Sequence, residues 1–298
     1  QLSALVRRLY LAATAVRPAV RVAVAAVAWG DGPDASGGWE QSQAYARVLQ
    51  DWRGWLEEGI LDLAAPRNFD REYRSDQRAW YDHWLEWEAG HLYGRGIVVL
   101  QGSYLNYPEH TLDQAQQALG VSKGVGFAYY LPANLYADPN GSASNPPRQP
   151  WYYSPEAEWW LWRMLSLPYG YTDPATGLFT GTTPLFPTPA DPPEIPWKDT
   201  PALGHAWGRA LGPDGQPLDG ATVTLVQTPY GTPVRQLRTD GKGYFGAVDL
   251  APGAYEARVE GAAPSYALQS ATVRAGRVAF FLPSFPFRAF LPLTFRHP

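Results

Sequence analysis

QDWRGWLEEGILDLAAPRNFDRE, residues 50–72, leads to WYDHWLEWEAG at 80–90 and GIVVLQGSYLN at 96–106, and the reading of these runs decides the fold. Each half reads as an amphipathic helix ended by a glycine, then a short apolar run that stops at polar and aromatic residues. Helix, buried strand and polar loop in repetition is the rhythm of a parallel sheet joined by helical crossovers. In such sheets, reactive and binding groups collect just past the carboxyl ends of the strands. Those ends supply Asn68 and Asp70 in one unit and Gln101, Tyr104 and Asn106 in the next.

The same rhythm extends outward. Within the central stretch, Tyr45, Leu49, Trp52 and Leu56 share a face of a helix predicted over 42–58, with Gly59 at its C-terminal cap. Strands are predicted over 60–65 and 97–101, and Ser75 caps a helix whose Trp80, Trp84 and Trp87 share a face. Upstream, RVAVAAVAW (21–29) reads as a strand buried on both faces. It follows a helix over 2–16 with Leu2, Leu5, Val6, Leu9 and Ala13 as its stripe. Downstream come a helix over 111–119, a strand over 125–130 and a helix over 154–165. A helix followed by four strand–helix units makes half of an eight-unit β/α barrel.

From 168 to 203 proline recurs without an apolar period, which predicts an extended linker. The period then changes to two. HAWGRAL, ATVTLVQT, PVRQLRT, GYFGAV, AYEARVE, YALQSATV and RVAFFLP read as short strands separated by PDG, TDGKG and APG turns. That is an all-β sandwich of the immunoglobulin or prealbumin type over 204–283. The apolar tail 284–298 fits an edge strand, an envelope-attachment signal or disorder.

Composition narrows the function classes. A net charge of −4 with 17% charged residues is no nucleic-acid footprint. Without cysteine there are no disulfides and no thiolate metal sites. Thirteen tryptophans and eighteen tyrosines suit a sugar-binding surface, since aromatic faces stack on apolar sugar faces, or else a core of large residues. No apolar run reaches transmembrane length. Residues 7–28 imitate a signal peptide, but Arg17, Pro18 and Arg21 interrupt it. With Gln1 first and Met164 the sole methionine, the chain is expected to be a processed product or a fragment. The histidines lack ligand spacing, and neither a G-x-S-x-G nor a nucleotide-binding glycine pattern occurs. No cofactor or metal is expected.

With these motifs in place, QDWRGWLEEGILDLAAPRNF with WYDHWLEW and QGSYLN resembles the glycosyl hydrolase-like 10 family of bacterial envelope proteins. The resemblance covers residues 2–167 and implies the second half of a glycosidase-type barrel, strands five to eight. The aspartate motif that ends the fourth strand in that family would precede Gln1. Phe69 stands where the family more often has tyrosine. GRALGPDGQPLDGATVTL, TDGKGYF and LAPGAYEARV resemble the carboxypeptidase regulatory-like fold, an accessory module that is usually non-catalytic.

Glycoside hydrolysis needs two carboxyl groups, one protonated and one ionised. Asp70, nearest its strand end, is the first candidate and Glu72 the second. The alternative for Asp70 is a solvated loop pair with Arg67 or Arg71. Asn68, Gln101, Tyr104 and Asn106 are candidate sugar contacts, or turn residues that satisfy their own backbone. Trp29, Tyr129 and Tyr130 are candidate stacking platforms. The expected function is that of a fragment of an extracellular or envelope protein acting on a polysaccharide, inactive as this chain alone. Two alternatives stand beside it: non-catalytic glycan binding, and self-association through open barrel edges.

Overall fold

The computed structural model describes residues 2–106, 108–127, 164–172, 179–260, 266–268 and 270–282. The chain divides into two compact units, Arg21–Ile195 and Ser3–Val20 with the chain from Pro196 onward. Helix α1 (Leu2–Val16) therefore belongs with the second unit. No helix of the described residues is long and apolar enough to cross a membrane.

The first unit is built on a parallel sheet of β1 (Ala23–Val27), β2 (Leu63–Asn68), β3 (Gly96–Ile97), β4 (Val99–Gln101) and β5 (Val125–Phe127). The order is β1-β2-β4-β5, with β3 also on β2, and every pairing is parallel. Helices α2 (Gly32–Ala35), α3 (Trp52–Glu58), α4 (Ser75–Gly90) and α5 (Pro108–Leu119) form the connections. The predicted α/β alternation is present. Closure into part of a barrel is not seen among the described residues. β1 pairs on one side only among them.

Two boundaries differ from the sequence reading for local reasons. β2 runs on to Asn68, with Pro66 inside it. β3 pairs with Leu63 and Ala64 and β4 with Arg67 and Asn68, so Pro66 faces the break between them, where its missing N–H costs little. The helix expected over 42–58 is interrupted. Ser42 caps a single π turn, Gln43–Arg47, and Leu49 takes φ 58°. Asp51 then starts α3 by accepting the Gly54 N–H at 3.1 Å. A second capping residue inside the apolar period splits it into two short helices.

Tryptophans fill the layer between helices and sheet. Trp39 stacks on Trp87 at 5.0 Å and 14°, and Trp52 meets Trp87 edge-on at 5.5 Å. The Trp52 and Trp84 indoles donate to the carbonyls of Val27 and Gly30 at 3.0 and 2.9 Å, which ties the helices to the end of β1. For these four residues, all buried, the core reading of the aromatic content holds. The stretch expected as a linker contains an antiparallel hairpin, β6 (Tyr169–Thr172) with β7 (Phe179–Thr182), and helix α6 (Pro196–Asp199).

The second unit is the predicted sandwich. One sheet holds β9 (Thr222–Gln227), β10 (Thr232–Arg238), β12 (Gly253–Glu260), β13 (Tyr266–Ala267) and β14 (Ala271–Val273). The other holds β8 (Gly204–Arg209), β11 (Tyr244–Leu250) and β15 (Val278–Phe281), with β15 parallel to β8. Val223, Leu225, Tyr255 and Val259 face Phe245, Ala247 and Phe281 in the shared core.

Strand alternation turns His205, Trp207, Tyr244 and Gly246 to the outer face of the smaller sheet. Helix α1 covers that face and groups with this unit. Tyr10 packs edge-on to His205 at 5.8 Å, and the Arg8 guanidinium lies 4.3 Å from the Tyr244 ring centroid. Gly246 permits the approach, because a Cβ there would collide with Leu11. The buried residues of α1 are Tyr10, Leu11 and Thr14, while Leu2, Leu5 and Leu9 of the expected stripe stay exposed.

Candidate functional site

Asn68 and Gln101 are register neighbours at the carboxyl ends of β2 and β4. The loops beyond them close together because residue 102 is glycine: a Cβ there would lie 3.2 Å from the Phe69 Cα. Three polar tiers result.

The innermost tier lies under α4. The Asn68 amide donates to Glu88 Oε2 at 3.4 Å. The Tyr81 hydroxyl is 2.8 Å from Gln101 Oε1 and 2.8 Å from the Gln114 carbonyl, and its one proton serves one acceptor at a time. Asn68 and Gln101 thus point into the sheet–helix layer rather than outward from a strand mouth. Both are fully buried, with Tyr81 and Glu88.

The second tier clamps the loop after β2. Asn106 Nδ2 donates to the Asp70 carbonyl at 2.8 Å, and its Oδ1 accepts the Glu72 N–H at 2.8 Å. Gln114 Nε2 reaches the Asp70 carbonyl at 3.1 Å and Glu72 Oε2 at 3.3 Å. The two amides from different elements hold residues 70–72 in one conformation.

The outermost tier reaches the surface through Arg78, while Glu72 itself is buried. Glu72 Oε1 pairs with Arg78 Nε at 3.0 Å on the wall of a groove of about 640 Å³. Tyr73, Ser75, His110, Asp113, Gln116 and Gln117 complete that wall. The Tyr73 and His110 rings lie 6.2 Å apart, tilted by 34°.

Burial governs the charge states. It pushes the Asp70 carboxyl up to about 7, opposed by Arg71 and aided by Asp31 and Asp76. Burial also pushes Glu88 well above the usual carboxylate range, against the Asn68 hydrogen bond and with the help of Asp70. Glu72 is raised by burial too, with Arg78 and Gln114 pulling the other way. Tyr81 is raised by burial and stays a neutral hydroxyl. Around neutral pH, Asp70 is near its midpoint. Asn68 Oδ1, Asp70 Oδ2, Glu88 Oε1, Gln101 Nε2 and Ser103 Oγ are buried without a hydrogen-bond partner among the described residues.

The fold therefore assembles Asn68, Asp70, Glu72, Gln101 and Asn106 into one polar body. Asp70 is buried, so it is not the solvated partner of Arg67 or Arg71. Tyr104 packs edge-on to Phe69 at 5.8 Å, and Trp29 is 41% exposed just after β1. Tyr129 and Tyr130 lie outside the described residues. Three members escaped the sequence reading: Tyr81, Glu88 and Gln114. Tyr81 and Glu88 stand seven residues apart on α4, on the buried face with Trp84 and Leu85. A polar residue recurring on an apolar helical face was the available signal.

Residues 207–279 match the carboxypeptidase regulatory-like domain family, in line with the turn motifs of the sandwich. No curated protein matches the chain. Among solved structures, the Bacillus anthracis TIE protein is similar at 19% identity and a TM-score of 0.23, over 27% of this chain and 16% of that one. GBS52, the minor pilin of Streptococcus agalactiae, gives 19% identity and a TM-score of 0.23, over 30% and 49%. A proposed carbohydrate-binding protein from Pseudomonas aeruginosa gives 12% identity and a TM-score of 0.21, over 28% and 89%. The chain thus spans less than half the length of the first two, and likenesses this local transfer no activity. The resemblance of residues 2–167 to the glycosyl hydrolase-like 10 family has no support among these matches. The family match covers the sandwich alone, residues 207–279.

Proposed function

We propose that the chain is a non-catalytic glycan-binding protein of the bacterial cell envelope, and that the groove beside Glu72 receives the sugar. The observation that carries this reading is the fixed Glu72 carboxylate, held by Arg78 and Gln114 on an open wall of hydroxyl, amide and ring groups. Sugar recognition uses such groups: oriented acceptors and donors for hydroxyls, with ring faces for the apolar side of the pyranose. Self-association through the side of β1 that pairs with no described strand belongs to the same proposal. It is read by sedimentation, as a mass that rises with concentration.

A glycan array followed by calorimetry with the best soluble oligosaccharide tests the binding. Glu72→Gln and Arg78→Ala are each expected to weaken it about tenfold, the scale of one hydrogen bond to a charged group. Absence of any glycan ligand, or equal affinity in both variants, would remove the proposal. A second reading starts from Asp70, on the loop that also carries Glu72: burial pushes its carboxyl up to about 7, a value suited to proton transfer. Reducing ends released from the bound glycan, and lost in Asp70→Asn, would replace binding with hydrolysis.

A further inference from the structure

The sandwich unit holds a second site. A cleft of about 730 Å³ runs between α1 and the residues around β11, within the size range of small-molecule pockets. We propose that it binds a small anionic molecule bearing a carboxylate or phosphate group.

The charge balance of its walls is the first argument. Arg7, Arg8, Arg238 and Lys242 line the cleft together with Asp219 and Asp240. Four cations against two anions leave two positive charges, on a chain whose net charge is −4. One of the anions is already committed. Asp240 accepts the backbone N–H groups of Lys242 and Tyr244 at 2.8 and 3.1 Å and pairs with Arg8 at 3.5 Å.

Two of the cations, Lys242 and Arg238, in contrast, retain donors. The Lys242 ammonium makes no hydrogen bond or ion pair to another described residue. Arg238 gives one N–H to the Gly220 carbonyl at 3.0 Å and keeps the rest of its fork. Trp207, which lines the cleft, carries a buried indole N–H without a partner among the described residues.

The helix adds to the same field. Ser3 and Ala4, in the first turn of α1, line the cleft, and that turn has no acidic residue. The dipole at a helix start favours negative charge. Arg8 is held between Tyr244 and Asp240, so part of the site is already ordered before anything binds. A purely apolar occupant would strip water from these cations without replacing it, so the walls select an anion.

Calorimetry on the full chain tests the proposal, with inorganic phosphate and citrate as probes and glucose as the neutral control. Saturable binding of one anion that weakens with added salt is expected, and the tighter probe identifies the anionic group. Lys242→Glu and Arg238→Glu, both on exposed side chains, should each weaken it about tenfold while the thermal unfolding curve stays in place. Failure of both anions to bind, equal binding of glucose, or full affinity in both variants would overturn it. None of these outcomes bears on the groove beside Glu72, whose residues belong to the other unit.

Discussion

Replacing Asp70 with asparagine should remove the share of the α/β unit's pH-dependent stability that this carboxyl contributes. The folded carboxyl titrates at about 7, against 3.8 for the free side chain. The folded value is the higher one, so the native state keeps its proton through a window in which the unfolded chain has lost it. Stability is therefore greatest below the unfolded pKa, falls as pH rises toward the folded pKa, and levels off above it. Each unit of difference is worth about 1.4 kcal/mol, so the loss totals about 4 kcal/mol across the window. Asparagine keeps the shape and stays neutral, leaving the carbonyl that Asn106 and Gln114 grip unchanged.

Urea denaturation from about pH 4 to about pH 8 reads this slope directly. Tryptophan fluorescence reports the α/β unit through the buried Trp39, Trp52, Trp84 and Trp87. Near the acid end the two proteins should have equal midpoints. Above neutrality the variant should be the more stable by roughly 3 kcal/mol or more. Two parallel curves would refute the reasoning, because they would mean that Asp70 is ionised and solvated throughout. So would a variant that is less stable at alkaline pH, since the native ion would then have a partner worth more than its burial costs.

Other perturbations test the architecture. Asn106→Ala leaves the Asp70 carbonyl with Gln114 alone and the Glu72 N–H unpaired, which should cost about 1–3 kcal/mol and speed hydrogen exchange at the Glu72 amide. Trp52→Ala should cost about 3–5 kcal/mol by denaturation, because the ring is fully buried and its indole tethers Val27. Gly246→Leu drives a side chain into Leu11, and the overpacking should cost about 1–3 kcal/mol and release α1. Limited trypsin digestion would show that release as faster cleavage after Arg7 and Arg8, while an unchanged pattern would mean that α1 is held elsewhere.

Much of this fold was legible because two periods are written plainly into the chain. The switch from helix–strand units to an alternating pattern near Gly204 marks the sandwich, and turn motifs such as PDG and TDGKG separate strands. The site was half legible. Asn68, Asp70, Glu72, Gln101 and Asn106 follow from the rule that groups gather at strand ends. Their direction does not follow from it. Whether Asn68 faces a cavity or a covering helix depends on where β2 stops, and extension through Pro66 to Asn68 placed it beneath Glu88. The partnership of α1 was equally hidden. Its apolar residues cover more than one face, and only the missing side chain at Gly246, far along the chain, selects which one docks.

The expense of the α/β site bears on what it is for. A fold selected for stability alone would replace a buried Asp and a fully buried Glu by apolar groups of similar volume, which is often neutral or favourable. Here burial holds both carboxyls above their ordinary range, and several buried polar atoms lack partners within the described residues. Violations of local rules concentrate at functional sites, where they are offset by the rest of the fold. The clamp by Asn106 and Gln114 supplies such an offset, because it orders the loop that carries both Asp70 and Glu72. A stabilised Asp70→Asn variant that still bound glycan would separate the cost of burying Asp70 from the groove. A stabilised variant with weakened binding would show that the Asp70 carboxyl helps to set the geometry of the groove.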